Sequence, residues 1–401
     1  MTTDYDLIII GSGMVGACLG LALSQTSRRV AIVEAKTIDE KQADSVGKRA
    51  IALSWGSRGI LEQLNSWQEL SDEAMPIRHI HVSDKGRFGK TRLSAQNQQV
   101  EALGYVVEAR CIESVVSTRL AATTVDVLSP ATLSDYTVND NGVEVIVSVS
   151  VNGKEQTLSC KLLVGADGGL SKVRQLGPFE LKEYPYDQQA ITGLIHVESD
   201  ENDVAYERFT SEGPIAMLPH FDGLYSLVWT MPSSIAEQVK NLSEDAFLQR
   251  LQSRFGQWLG ELSLAGSCQM FPLSLSHVPQ NISNRVVLIG NAAHQLHPVA
   301  GQGFNLGLRD AAMLAGVIIS AQQDEELDDA LEVYARHRKT DQALITGFTD
   351  SVIKLFSTDN AALSVMRNSG LLMLDNIPLL KNEFARQAMG LGAPIARLKV
   401  S

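Results

Sequence analysis

The sequence predicts an α/β chain, α+β overall: a parallel-sheet unit of Rossmann-like topology, an inserted antiparallel sheet, and a helical C-terminal tail. Three observations carry that prediction. A GxGxxG turn stands between two short apolar runs near the N-terminus. Two later apolar runs, at 158–165 and 285–290, end in glycine in the same way. Between them, from about 189 to 275, short β-rich runs separated by turn residues describe antiparallel strands.

Composition sets the outer bounds. The chain has 401 residues, of which 44% are hydrophobic, enough for a large core and two or three domains. Its net charge of -12 leaves no basic surplus to displace counterions from phosphates, which argues against a nucleic-acid partner. Cys18, Cys111, Cys160 and Cys268 are scattered, without a CxxC, so neither a disulfide framework nor a cysteine zinc site is expected. Leu7–Leu23 is nearly uncharged. It follows Asp4 and Asp6 rather than basic residues and is broken by Gly11, Gly13, Gly16 and Gly20, so it reads as neither signal peptide nor membrane span.

Asp6–Ile10 is a β-branched run suited to a strand buried on both faces. Gly11-Ser12-Gly13-Met14-Val15-Gly16 follows, then helix-compatible residues to Ser24, then a second strand over Arg29–Val33 with Glu34 at its end. Strand, glycine turn, helix, strand and acid, in that order, make the dinucleotide-binding unit. Gly11 permits the tight turn, Gly13 the approach of a pyrophosphate, and Gly16 the close packing of helix on sheet. Glu34 is placed to accept hydrogen bonds from ribose hydroxyls. This motif alone does not distinguish NAD from FAD.

Residues 48–64 read as a basic turn leading into a helix, with Arg49 either a phosphate contact or a solvated charge. Residues 76–107 alternate as half-exposed strands, and 139–142 and 152–153 are hairpin turns. The run to Gly165-Ala166-Asp167-Gly168 puts an acid at the carboxyl end of a buried strand, where open α/β sheets bind ligands. Residues 244–259 form a helix on the antiparallel sheet. The strand at 285–290 leads through Gly290-Asn291 to a second glycine-rich loop, Gly301-Gln302-Gly303, which opens a helix from Phe304 to about Ile319. Its backbone N–H groups suit an electron-rich ring edge or a phosphate. Residues 343–396 are helical, broken at Asn376-Ile377-Pro378.

Other signals are weaker. Gly89-Lys90-Thr91 lacks the first glycine of a P-loop, His79 and His81 lack a third ligand, and no GxSxG is present.

Taken together, GxGxxG with Glu34, Gly165-Ala166-Asp167-Gly168, and Gly290-Asn291 followed by His297-Pro298-x-Ala300-Gly301-Gln302-Gly303-x-Asn305-Leu306-Gly307 resemble the single-component FAD-dependent aromatic hydroxylases. The last string, with Asp310 after it, is most similar to the ubiquinone-biosynthesis ring hydroxylases. Tyr206-Glu207-Arg208-Phe209 and Gly213–Pro219 fit the same group, nearest its 2-polyprenyl-6-methoxyphenol hydroxylase branch. The resemblance runs over residues 5–390.

It implies that Gly11, Gly13, Met14, Gly16, Glu34, Arg49, Arg110, Asp167, Gly290, Asn291, Gly301, Gln302, Gly303 and Asn305 bind FAD; the sequence offers no side chain that we name as an essential acid or base, the flavin carrying the chemistry. Many members have Gly-Asp where this chain has Gly290-Asn291. Arg208, Met217, Trp229, His297 and Pro298 are expected to line the substrate pocket. The expected FAD-binding domain is discontinuous (1–75, 103–180, 280–342), the substrate domain comprises 76–102 and 181–279, and 343–401 is the helical segment. Only one dinucleotide unit is present, so NAD(P)H is expected to bind transiently against FAD, with oxygen from O2 delivered through a flavin C4a-hydroperoxide. The implied substrate is a polyprenylated phenol and the implied partners are other ubiquinone-biosynthesis proteins. A cytoplasmic location is expected, with peripheral contact at the inner membrane that a basic surplus over 370–401 permits. Two other readings stand beside this one: a prenyl-chain reductase or other FAD oxidoreductase, and a non-catalytic flavoprotein subunit.

Overall fold

Tyr5–Ile10 sits inside an eight-stranded sheet, paired in parallel with Val30–Val33 on one side and Lys154–Gly165 on the other. Val286–Leu288 extends the parallel array beyond Lys154–Gly165, and Asp126–Leu128 extends it beyond Val30–Val33. The computed structural model describes residues 3–37, 39–40, 49–139, 144–296, 301–321, 326–356, 361–392 and 398. Because helices and further strands cover both faces, Leu7–Ile10 is buried throughout, which is why this strand reads as a continuous apolar run. Helix Met14–Leu23 lies between the sheet and helix Gln302–Ser320, and nearly all its residues are buried.

Ala50–Ser54 departs from the expected turn. It is a strand, paired with Gly104–Glu108, which also pairs with Met75–Ile77. Ile51 and Leu53 bury with a period of two, but the strand that makes this possible lies some fifty positions downstream. The expected helix then begins at Trp55, capped by the Ser54 side chain.

The second large sheet runs in the order His294–Gln295, Gln269–His277, Lys182–Val197, Leu224–Pro232, Gly213–Pro219, Val204–Thr210, His79–Asp84, Lys90–Ser94. Its neighbours are antiparallel except Val204–Thr210 with His79–Asp84. Helices Ser233–Lys240 and Glu244–Phe255 cover one face, burying Trp229, Met217, Ile215, Leu227 and Phe255. The first of these helices was not expected. His294–Gln295 joins the sheet to the segment that begins in the parallel sheet at Val286–Leu288, so the second glycine-rich loop leaves from where the two sheets meet.

Asn152 and Gly153 take φ of 50° and 77°, the hairpin turn their types predict. The other turn lies mostly outside the described residues, but its flanking strands, Ala131–Val138 and Val145–Val151, pair antiparallel. The tail is helical over Leu327–Phe356, Ala361–Asn376 and Pro378–Ala388, with the break at Ile377 and a start earlier than residue 343. Arg397 and Lys399, two of the four basic residues in 370–401 beside Lys381 and Arg386, lie outside the described residues. Among the described residues no helix is long and apolar enough to cross a membrane.

Candidate active site

The first glycine turn is tight by necessity. Gly11 has φ 98°, and a Cβ there would stand 2.6 Å from the Ala166 carbonyl oxygen. A Cβ at Gly16 would meet the Gly11 carbonyl oxygen at 2.0 Å. Gly13 differs: no atom lies within 4 Å of where its Cβ would be. Gly13 is also the N-cap of helix Met14–Leu23 and supplies no side-chain cap, so no capping side chain occupies the first-turn N–H groups. Met14 itself is core and offers only its backbone.

Glu34 is 9% exposed and braces this turn, accepting the Ser12 N–H at 2.7 Å and the Lys36 N–H at 2.9 Å. A cleft of about 580 Å³ opens beside it, lined by Gly11, Gly13, Glu34, Arg49, Asp167 and Lys172 among others. Asp167 Oδ2 accepts the N–H groups of Lys172 (2.6 Å) and Val173 (3.1 Å), holding the start of helix Lys172–Leu176. Its Oδ1 is buried and has no hydrogen-bond partner among the described residues. A buried acceptor without a donor on the wall of a cleft is a place for a ligand's donor. The open N–H groups, the bare Gly13 and this oxygen fit the pyrophosphate and sugar portions of a dinucleotide.

The second glycine corner is held from behind by buried charge. Gly290 (φ 57°) donates its N–H to Asp310 Oδ2 at 3.0 Å, and His294 Nε2 lies 2.5 Å from the same oxygen. Arg338 Nε donates to Asp310 Oδ1 at 2.7 Å and its guanidinium also reaches Asp341, which accepts Arg309 Nε at 3.0 Å. Burial works against a charged Asp310, but Arg338 and then His294 outweigh it and hold the carboxyl well below the usual range. Gly301 (φ 59°) starts helix Gln302–Ser320, with its Cβ position 3.0 Å from the Ala52 side chain, while Gly303 faces open space.

Residues 4–349 match the family model described as FAD binding domain. The chain is 33% identical to ubiquinone hydroxylase UbiL of Rhodospirillum rubrum, over 96% of this chain and 89% of that protein. It is 30% identical to the 3-demethoxyubiquinol 3-hydroxylase of Escherichia coli, over 96% and 98% of the two chains. The chain belongs to the FAD-dependent aromatic hydroxylases. Among solved structures, p-nitrophenol 4-monooxygenase PnpA of Pseudomonas putida superposes with a TM-score of 0.78 at 17% identity, covering 98% of this chain and 99% of that one. That likeness shows the fold alone.

Within this hydroxylase fold the expected site residues separate into groups. Gly11, Gly13, Glu34, Arg49 and Asp167 meet at the cleft, whereas Met14 and Gly16 of the same turn are buried behind its lining. Gly290, Asn291, Gly301, Gln302 and Gly303 belong to the second corner, with Asn291 exposed on a short 3-10 turn and Gln302 buried. Asn305 is a brace instead of a ligand contact. Its Nδ2 donates to Ala52 O and Gly301 O (both 2.8 Å), and its Oδ1 accepts Ser54 N–H and Ser57 Oγ–H, so its hydrogen-bonding capacity is spent on the corner. Arg110 turns to Glu108 and is exposed, away from the cleft lining.

The pocket-lining expectations need correction. Met217 and Trp229 are fully buried on the helix-covered face of the antiparallel sheet, where Trp229 packs on Phe247. Arg208 shares that face, donating to the Arg254 carbonyl at 3.2 Å and stacking on Trp258 at 4.4 Å. Side chains alternate along a strand, so these residues point away from the parallel unit. His297 and Pro298 lie outside the described residues. The opposite face carries Thr192, Leu194, Ala216, Leu218 and Val228, each only partly buried. Alternation alone could have paired these residues, but it could not say which set a helix covers.

Proposed function

We propose that this chain hydroxylates the aromatic ring of a polyprenylated phenol in ubiquinone biosynthesis, with a 2-polyprenyl-6-methoxyphenol as the substrate type and NAD(P)H and O2 as co-substrates. The observation that carries the reading is a half-exposed apolar wall beside the second glycine corner. Leu218 and Ala205 on that wall pack with Val106 and Ala50 of the small sheet. Val106 pairs with Ala52, the residue touching Gly301. An apolar ring and tail laid against this wall would therefore lie next to the corner that would hold the flavin. The relatives named for ubiquinone hydroxylation support the same substrate class.

FAD would be held by Gly11, Gly13, Met14, Gly16, Glu34, Arg49 and Asp167 at its adenosine and pyrophosphate end, and by Gly290, Asn291, Gly301, Gln302 and Gly303 at its ribitol and ring end. When bound it supplies the redox chemistry, taking electrons from NAD(P)H and activating O2. The chain's own contribution is to orient the ring, exclude water along the apolar wall, and present backbone N–H groups from the helix that starts at Gln302. We assign 1–75, 103–180 and 280–342 to the FAD-binding unit, 76–102 and 181–279 to the substrate unit, and 343–401 to the helical segment. Contacts with other ubiquinone-biosynthesis proteins and with the membrane surface belong to this reading, because the substrate's tail is a lipid.

The test is NAD(P)H oxidation by the FAD-loaded protein with and without a short-chain 2-prenyl-6-methoxyphenol, with products read by mass. Substrate-stimulated oxidation and a gain of one oxygen atom are expected. Oxidation with no oxygenated product from this phenol or from a short-chain demethoxyubiquinol would defeat the reading and favour a reductase.

A further inference from the structure

Glu207 is an acid outside the residues assigned above to FAD. Tyr206 and Arg208, its neighbours in the strand, pack under the helices through Phe255 and Trp258, so Glu207 points to the other face. The register confirms that direction. Straight across the sheet, Glu207 is aligned with Ala216, Val228 and Thr192 on one side and with Val82 and Thr91 on the other. It is the only ionisable side chain in that row. Ala205, two residues earlier on the same face, packs with Val106 and so lies toward the corner at Gly301.

Among the described residues no hydrogen-bond donor or cation meets the Glu207 carboxylate. Asp84, two residues beyond Val82 on the neighbouring strand and on the same face, accepts a hydrogen bond from Asn368 at 3.0 Å. Burial alone pushes the Glu207 carboxyl up to about 7, where a group exchanges protons readily at neutral pH. A lone carboxyl in an apolar wall costs free energy unless the site uses it.

Resting on the hydroxylase reading above, we infer that Glu207 is a catalytic residue that binds the ring hydroxyl of the phenol and accepts its proton. The O–H bond breaks, the proton passes to a Glu207 carboxylate oxygen, and the electron pair moves into the ring toward the carbon that receives oxygen. When that carbon loses its own hydrogen as a proton, which goes to the O2 oxygen that leaves as water, aromaticity returns, and Glu207 gives the first proton back to the hydroxyl oxygen and is again a carboxylate. The oxygen atom comes from O2, and NAD(P)H supplies the two electrons that reduce its partner atom to water.

The experiment compares wild type, Glu207→Leu and Glu207→Gln, each loaded with FAD and matched by flavin-to-protein ratio. Affinity for a short-chain 2-prenyl-6-methoxyphenol and for its O-methyl ether is read from the difference absorbance of the bound flavin. Wild type should favour the phenol by about tenfold or more, because the ether cannot donate to the carboxylate. Glu207→Leu should bring the ratio to about one while leaving ether affinity unchanged. Glu207→Gln can still accept the hydrogen bond but not the proton, so it should keep the phenol preference and lose about a hundredfold or more in product formation. An unchanged ratio in Glu207→Leu, or full product formation by Glu207→Gln, overturns the role of Glu207 and leaves the hydroxylase reading standing. Wild type that binds neither compound overturns both.

Discussion

At the residue scale, the glycines of the first turn answer to different constraints. A Cβ at Gly16 would overlap the Gly11 carbonyl oxygen, a backbone atom that has nowhere to go. Gly16→Ala should therefore destabilise the fold by about 3 kcal/mol or more, measured as a fall in the midpoint of chemical denaturation. Gly13 meets nothing in the protein, so Gly13→Ala should fold normally but bind FAD about tenfold or more weakly, because the added methyl occupies the approach of the pyrophosphate. The pair separates packing from binding within one motif. Asp167 joins both demands. Its Oδ2 holds two N–H groups of the following helix while Oδ1 waits on the cleft wall. Asp167→Ala should cost about 1 kcal/mol in stability through the lost cap and lower the flavin-to-protein absorbance ratio. Full flavin occupancy in that variant would remove Asp167 from the site.

At the scale of elements, the second glycine corner depends on a charge cluster that no bound group need touch. Asp310, wholly buried, ties the Gly290 N–H and His294 to Arg338 on the following helix. Asp310→Ala should cost about 3–5 kcal/mol, because Arg338 would be left buried against one fewer carboxylate. The pH dependence has a definite sign. The folded carboxyl is held below its unfolded value, so its contribution is complete above about pH 4 and is lost as pH falls through the folded value. The stability gap between wild type and Asp310→Ala, measured by denaturation at pH 6 and pH 3, should therefore narrow in acid. On the antiparallel sheet, Trp229→Ala should cost about 3–5 kcal/mol by opening a cavity under the helices. It should leave substrate preference unchanged, since that side chain faces away from the cleft.

At the scale of the whole molecule, the two glycine corners are brought together by the parallel sheet. Gly11 follows its central strand, Ala166 and Asp167 follow the neighbouring one, and Gly290 follows the strand after that. A dinucleotide spanning both corners would touch Gly290, after a strand of the parallel sheet, and lie near His294–Gln295, which pairs with the antiparallel one. Adding FAD to the apoprotein at about a hundred times its dissociation constant should raise stability by about 2.7 kcal/mol, seen as a higher melting temperature. No shift on adding FAD would contradict the fit of the cradle.

Much of this was legible in the residues themselves. The strands around GxGxxG, the acid at the second strand's end, the Gly-Ala-Asp-Gly turn and the helix after Gly303 all depend on local order and spacing, where one strand-turn-helix unit contains its own constraints. The strand at Ala50–Ser54 was not legible, because its partner Gly104–Glu108 is remote in the chain. The role of Asn305 was hidden for the same reason: its acceptors and donors come from Ala52, Ser54 and Ser57. The substrate face shows the limit most plainly. A period of two divides Tyr206 and Met217 from Glu207 and Ala216, yet both faces of a strand obey that period equally. By itself, then, the sequence determined the cofactor turns and the family, since their chemistry is written in contiguous residues. Only the tertiary structure decided that Met217 and Trp229 are core and that Glu207 lies on the opposite face of the sheet, because the helices that bury one face arrive from later in the chain and cover one side alone.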